Sequence, residues 1–194
     1  MFKIITVREN ARVPPVKFDM ELNQAVKESL QEQLEGKLNP DMGVFLVVTE
    51  VVSVGEGKII PEDGAIYYPT EFKMMIFKPE INEVLLGEVV DITEFGAFTR
   101  IGPIDALVHV SQIMDDKIAY DGKNAIFTGK KSGCKLREGD IIRTRVVGVS
   151  LGKGRNKISL TMRQPFLGAV EWIEKEKKKS GGERKEEKKR EKKK

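Results

Sequence analysis

Gly87-Glu-Val-Val-Asp-Ile-Thr-Glu-Phe-Gly-Ala-Phe-Thr-Arg-Ile101 is the stretch that decides how this chain folds. Short β-prone apolar runs flank Glu94-Phe95-Gly96, as in two β-strands that meet at a tight connection. Gly96 permits a sharp bend there. Phe95 and Phe98 lie three residues apart across that bend, where edge aromatics can stack on nucleic-acid bases.

Downstream the texture persists: short apolar runs, Gly punctuation and no long helical stripe. Leu85 to Ile92, Ala97 to Ile101, Ala106 to Val110, Ile141 to Val149 and Lys157 to Met162 read as five strands. That number and spacing suit a small closed barrel of the OB type. The interval of about 30 residues between the third and fourth is long for a loop in a compact domain. Such intervals are functional or are additions to the fold.

Upstream the pattern changes. Phe2 to Val7 is β-prone, and Pro14-Pro15 ends any strand begun there. Asp19 is a good helix N-cap with Glu21 in the first turn. Leu22, Val26, Leu30 and Leu34 recur every four residues with Ala25 beside them, one apolar helical stripe. Gly36 then suits the helix C′ position, and Asn39-Pro40-Asp41 is a turn. Val44 to Val48 with Val51-Val52 predicts a buried strand. Gly55, Gly57, Pro61 and Gly64 mark a mobile loop or long hairpin tip. Ala65 to Tyr68 and Glu71 to Phe77 return as strands, closed by Pro79.

The fold class expected is therefore α+β. A small α/β sandwich of β-α-β-β order spans residues 1–80 and a barrel spans 81–165. A short terminal helix covers 166–175, with Phe166, Val170 and Ile173 as its stripe. Residues 176–194 form a charged tail that cannot bury a core and is expected to fray.

Composition limits the classes. Cys134 is the single cysteine among 194 residues, so no internal disulfide and no Cys-built zinc site is expected. No apolar run reaches the roughly 18 residues of a membrane span. The start lacks the apolar stretch of a secretory signal, so a cytoplasmic location is expected. Charge is segregated. Residues 1–82 carry 9 basic and 13 acidic side chains, and residues 83–121 carry 2 and 8. Residues 122–163 carry 11 and 2. An anionic partner met by the later segment is one reading, and pairing between blocks within the fold is the other.

Four blocks carry a family resemblance, in family order over residues 84–163: Gly87 to Ile101, Leu107-Val-His-Val-Ser-Gln-Ile113, Gly139-Asp140 and Lys157-Ile-Ser-Leu-Thr-Met-Arg163. Together they resemble the ribosomal protein S1-like RNA-binding domain. Further motifs are Val13-Pro-Pro15, Gly55-Glu-Gly57, Asp63-Gly64-Ala65 with Tyr67, His109-Val-Ser-Gln-Ile-Met-Asp-Asp116, Tyr120-Asp121, Leu160-Thr-Met-Arg-Gln-Pro165 and the ending Leu167-Gly168 through Glu171-Trp172-Ile173. With these, the chain is similar to the archaeal RNA polymerase E-prime subunits, counterparts of eukaryotic polymerase subunit seven. Asp105-Ala106 stands where that family usually has Asp-Gly, and Tyr68 where a His is common.

The resemblance implies a truncated RNP-like docking domain followed by an S1-like OB-fold barrel. It implies a heterodimer with the smaller F subunit of the RNA polymerase, attachment to the polymerase core and contact with single-stranded nascent RNA. It implies no membrane association, no cofactor and no catalysis by this chain, which lacks the carboxylate cluster of a polymerase active site. Similar barrels occur in exosome cap subunits and in a translation initiation factor subunit, and these stay as the alternative. The initiation factor begins with its barrel, and the exosome cap carries a further KH domain or zinc ribbon. A nuclease using the barrel for grip lacks its acidic cluster here.

With that resemblance, the RNA-binding candidates are Phe95, Phe98, His109, Arg143, Arg145, Lys157 and Arg163. Aromatic rings stack on any base, and Arg or Lys follows the phosphates. Arg143 and Arg145 share one strand face by period two. The competing readings are rings in the barrel core, a structural His109 and a solvated basic face. The core-docking candidates are Pro14, Pro15, Gly55, Glu56, Gly57, Lys58, Pro61 and Gly64. Asp115-Asp116 lack a third ligand, so no metal is expected. Gly129-Lys130-Lys131-Ser132 lacks the earlier glycine of a phosphate loop, position 124 being Asn. Gly55-Glu56-Gly57 lacks the third glycine of a dinucleotide fingerprint. Cys134, among Lys131, Lys135 and Arg137, reads as incidental.

Overall fold

The computed structural model describes residues 1–152, 157–175 and 177–178. The tail expected at 176–194 lies outside them, apart from 177 and 178. Two compact units form, the first on Met1–Pro79 and the second on Glu80–Ser150 with the chain from Lys157.

The first unit contains β1 (Phe2–Val13), α1 (Leu22–Leu34), β2 (Leu38–Asn39), β3 (Gly43–Val54), β4 (Lys58–Ile59) and β5 (Ile66–Phe77). The antiparallel sheet runs β1-β5-β3-β2, and β4 pairs with β5. α1 covers one face of it. Ala25, Val26 and Leu30 of α1 pack with Ala11, Val13, Val48, Phe72, Met74 and Ile76 of the sheet.

Several expectations are corrected here. The N-cap is Glu21 rather than Asp19, with no side-chain cap bond and no acid in the first turn. Leu22 falls off the stripe and is exposed, because the buried positions are Ala25, Val26, Ser29 and Leu30. Gly36 does take the left-handed conformation expected after the helix, at φ +74°. β3 is less buried than its apolar run predicts, since three register shifts against β5 disturb its alternation.

β5 runs unbroken through Pro69, where two strands were expected. In an antiparallel strand a residue's N–H and C=O point to the same side. The Pro69 carbonyl accepts the Gly55 N–H at 2.8 Å, so its missing N–H also faces the β3 side. β3 ends there with the pair Val54–Thr70, and nothing in the ladder requires that donor.

The second unit contains β6 (Val84–Thr93), β7 (Gly96–Ile101), β8 (Ile104–His109), β9 (Ile118–Asp121), β10 (Ile126–Gly129), β11 (Lys135–Leu136), β12 (Ile141–Ser150), β13 (Lys157–Thr161) and β14 (Gly168–Ala169). β6, β7 and β8 form a meander. β8 pairs in parallel with β13, β13 pairs with β12, and β12 returns to β6. The five expected strands thus close into an OB-like barrel, filled by residues such as Val89, Ile101, Val108, Ile142, Val146 and Leu160. The long interval folds as a separate sheet, β11-β10-β9, around buried Phe127 and Leu136.

Gly96 is needed for close approach rather than for a bend. A Cβ there would stand 2.4 Å from the Val108 carbonyl oxygen. Among the described residues the helix near the end covers 170–175 and 177–178, and Phe166 does not belong to its stripe. Phe166 is 72% exposed with φ +65° ahead of β14, and a residue in that conformation cannot sit in a helix.

Candidate nucleic-acid interface

The barrel register places Phe98 of β7, Leu107 of β8 and Ser159 of β13 in one row. Their chain neighbours Ala97, Thr99, Ala106, Val108, Ile158 and Leu160 are buried. By strand alternation the row itself points outward. Phe95 stands in the β6–β7 turn, 46% exposed. Its ring meets Phe98 edge-on, with centroids 5.9 Å apart at 90°.

His109 ends β8 and is exposed. Its Nδ1 lies 2.8 Å from the Ser111 hydroxyl and accepts the Ser111 N–H at 3.2 Å. A ring nitrogen that accepts carries no proton, so a neutral His109 bears its hydrogen on Nε2 and can donate there. Lys157, His109, Leu107, Ser159, Val147 and Gln112 line a cavity of about 330 Å³ beside this row.

The arginines divide. Arg163 follows β13, donates to the Ser111 carbonyl at 3.3 Å and pairs with the Asp115 carboxylate. It therefore joins the His109 end of the barrel. Arg145 faces Val84 and Thr161 across β12. Its buried Nε has no hydrogen-bond partner among the described residues. Arg143 faces Leu86 and Gly168 and donates to the Phe166 carbonyl at 3.5 Å. Arg143 thus belongs to the β6–β12–β14 side, not to the aromatic row.

Sequence reasoning missed Leu107, Ser159, Gln112 and Val147. Period two counted back from His109 and forward from Lys157 would have found Leu107 and Ser159. Val147 sits at a register shift between Val146 and Gly148, for which the sequence carries no signal.

In the first unit the docking candidates come together at one end. Pro14 precedes and Pro15 begins a short 3₁₀ turn. A Cβ on Gly64 would stand 3.7 Å from Pro15 Cγ. The segment from Gly55 to Gly64 supplies β4 and the turn of a hairpin with the start of β5, Lys58 standing opposite Tyr67. Glu56, Gly57, Lys58 and Pro61 are exposed on it. Two exposed apolar residues of this end escaped the sequence reading: Val16 at 88% and Ile59 at 75%.

Asp63 secures the base of the hairpin. Arg12 donates to both its oxygens, at 2.9 and 2.7 Å, and the Tyr67 hydroxyl donates at 2.5 Å. Arg12, then Tyr67, hold the Asp63 carboxyl well below the usual carboxylate range, while the bond to Asp63 pushes the Tyr67 hydroxyl up.

Among the described residues no group of His, Cys, Asp and Glu is arranged to hold a metal. None of their helices is long and apolar enough to cross a membrane.

Two family descriptions match the two halves. "SHS2 domain found in N terminus of Rpb7p/Rpc25p/MJ0397" matches residues 8–64, and "S1 RNA binding domain" matches 78–163. The class is thus a two-domain protein, an SHS2 domain followed by an S1-type barrel. The chain is 41% identical over 179 residues to DNA-directed RNA polymerase subunit Rpo7 of Saccharolobus shibatae, covering 91% of this chain and 99% of that one. It is 38% identical over 177 residues to the Rpo7 of Sulfolobus acidocaldarius, covering 91% and 97%. DNA-directed RNA polymerase II subunit RPB7 of Glycine max is 24% identical over 170 residues, covering 88% and 97%. The chain belongs to the Rpo7 family of DNA-directed RNA polymerase subunits, the archaeal counterparts of eukaryotic subunit seven.

Proposed function

We propose that this chain is the non-catalytic stalk subunit of an archaeal DNA-directed RNA polymerase, acting in the cytoplasm. It pairs with the smaller F subunit, attaches to the polymerase core through its first domain and contacts emerging single-stranded RNA with its barrel. The observation that carries the RNA reading is the outward row Phe98–Leu107–Ser159, flanked by Phe95, His109 and Lys157. Rings there can stack on bases, a cation can follow the phosphates, and neither selects sequence strongly. Binding is therefore weak and tolerant of sequence.

The docking reading is supported by the paired Pro15 and Gly64 ends with exposed Val16 and Ile59, an apolar tip of the kind that enters a partner's pocket. Pairing with the F subunit is supported by the sheet of the first domain, whose Phe2 and Ile4 are exposed on β1. The test is ultraviolet crosslinking of nascent RNA to polymerase purified through this chain, with peptide mapping. The F subunit should copurify, and crosslinks should fall on Phe95, Phe98 or His109. Crosslinks confined to residues 176–194 would make the barrel face a mere scaffold.

A further inference from the structure

A second cavity, of about 390 Å³, opens where the β9–β11 sheet meets the end of β8. Ser111, Asp115, Asp116, Lys117, Lys131 and Arg163 line it. Three cations surround it, and both carboxylates are already engaged. Asp115 pairs with Arg163. Asp116 accepts the backbone N–H of Lys117 at 2.6 Å, of Lys131 at 2.7 Å and of Ser132 at 2.9 Å, and the Ser132 hydroxyl at 3.2 Å.

One carboxylate thus clamps the backbone of both lysines, which lie far apart in sequence. Gly129 makes the clamp possible, since a Cβ there would fall 2.4 Å from Ser132 Oγ and 2.9 Å from Asp116 Oδ2. The bonds from Ser132 and Lys131, ahead of that from Lys117, keep Asp116 below the usual carboxylate range, so it stays an acceptor. The Lys117 and Lys131 ammonium groups have no ion-pair partner among the described residues. Ser111, which lines the cavity, hydrogen-bonds His109 at the edge of the aromatic face.

We propose that this cavity is a phosphate subsite, in which Lys117, Lys131 and Arg163 hold a phosphodiester of the strand whose bases lie on Phe98 and His109. The assignment rests on the RNA reading above and extends it to residues of the inserted sheet. Lysine serves such a site as a point charge, and Arg163 offers a planar fork. Asp115 opposes the incoming phosphate and competes for Arg163, so it limits affinity.

The test uses the full chain and a 12-nucleotide oligouridylate, titrated by fluorescence anisotropy from about 50 to 300 mM salt. Each phosphate neutralised contributes about 0.7 to the slope of log K against log salt for a single strand. Lys117→Gln with Lys131→Gln is expected to weaken binding about five- to tenfold and to reduce the slope by about 0.7. Asp115→Asn is expected to tighten binding. A charge-matched control, Lys123→Gln with Lys135→Gln, removes the same charge outside the cavity and is expected to change the slope less.

Equal effects of the two lysine pairs would overturn the subsite and leave only a diffuse basic surface. An unchanged slope in the Lys117/Lys131 variant, with Phe98→Ala still weakening binding, would overturn the subsite while sparing the RNA reading. No binding by the unaltered chain would overturn the RNA reading itself. Inorganic phosphate competing at millimolar concentration against the unaltered chain, but not against the double variant, would support the site independently of RNA.

Discussion

The sheet of the first domain ends in two edges, β1 and β2, whereas the strands of the second return on themselves through β12–β13. The open sheet has one helix on one face and carries exposed Phe2 and Ile4 on an edge strand and Val16 and Ile59 at its tip. The closed barrel pairs every strand within itself and presents the row Phe98–Leu107–Ser159, flanked by Phe95, His109 and Lys157. An open edge with apolar residues is unfinished surface that other proteins cover. A closed wall has its backbone bonds satisfied, so its outer side chains are free to meet a ligand. The proposed division of the two halves into assembly and binding rests on that contrast.

The largest expected effect breaks one half and spares the other. Leu30 is fully buried in the first-domain core, and Leu30→Ala should destabilise that domain by about 2–5 kcal/mol. Trp172, the single Trp, hydrogen-bonds Lys135 in the second domain and reports its unfolding. Circular dichroism in urea should acquire an earlier transition while Trp172 fluorescence keeps its midpoint. A matching shift in both signals would mean that the two domains unfold as one.

Next comes the division of labour. Phe98→Ala should weaken single-stranded RNA binding by about 1–3 kcal/mol if that ring stacks on a base. Retention on the polymerase core in a pull-down should not change. Ile59→Asp should do the reverse, weakening retention by at least about 1 kcal/mol if Ile59 anchors the tip, with RNA affinity unaltered. Either variant affecting both assays would blur the contrast.

A smaller effect separates the cations. Lys157→Ala should flatten the salt dependence of RNA binding by about 0.7 of a unit. Arg143→Ala should leave it unchanged, because that guanidinium is turned to the Phe166 carbonyl.

The smallest concerns pH and the first domain alone. The Asp63 carboxyl is depressed in the folded chain by Arg12 and Tyr67. A depressed acid stabilises above its unfolded value, near 3.9 for Asp, and loses that contribution as pH falls through the folded value. Exchange protection of the Ala65 amide, which donates to Asp63 at 3.2 Å, should therefore hold at neutral pH and drop below about pH 4. In Asp63→Asn that acid-dependent drop should disappear.

Local pattern was enough for much of the architecture. Short apolar runs, their spacing and the Gly punctuation located all five barrel strands, because these are properties of the chain itself. The α1 stripe was legible for the same reason, though its first member, Leu22, was not buried. Register shifts in β3, the unbroken run of β5 past Pro69 and the left-handed Phe166 were illegible. Each depends on what a neighbouring strand does at that point. Of the candidate site the sequence offered residue types alone: two rings, one His and a set of cations.

Which of them lie together was decided only by the barrel's closure. The parallel pairing of β8 with β13 aligns Ser159 with Leu107, residues remote in sequence, while the pairing of β12 with β6 and β14 sends Arg143 to another side. The Asp116 clamp is likewise invisible in the chain, where Asp115-Asp116 looks like a bare acidic pair. Sequence alone determined the elements and the chemistry they carry, since both are set by near neighbours. Tertiary structure decided the grouping, since the partners of a charge or a ring are set by strand register and loop closure.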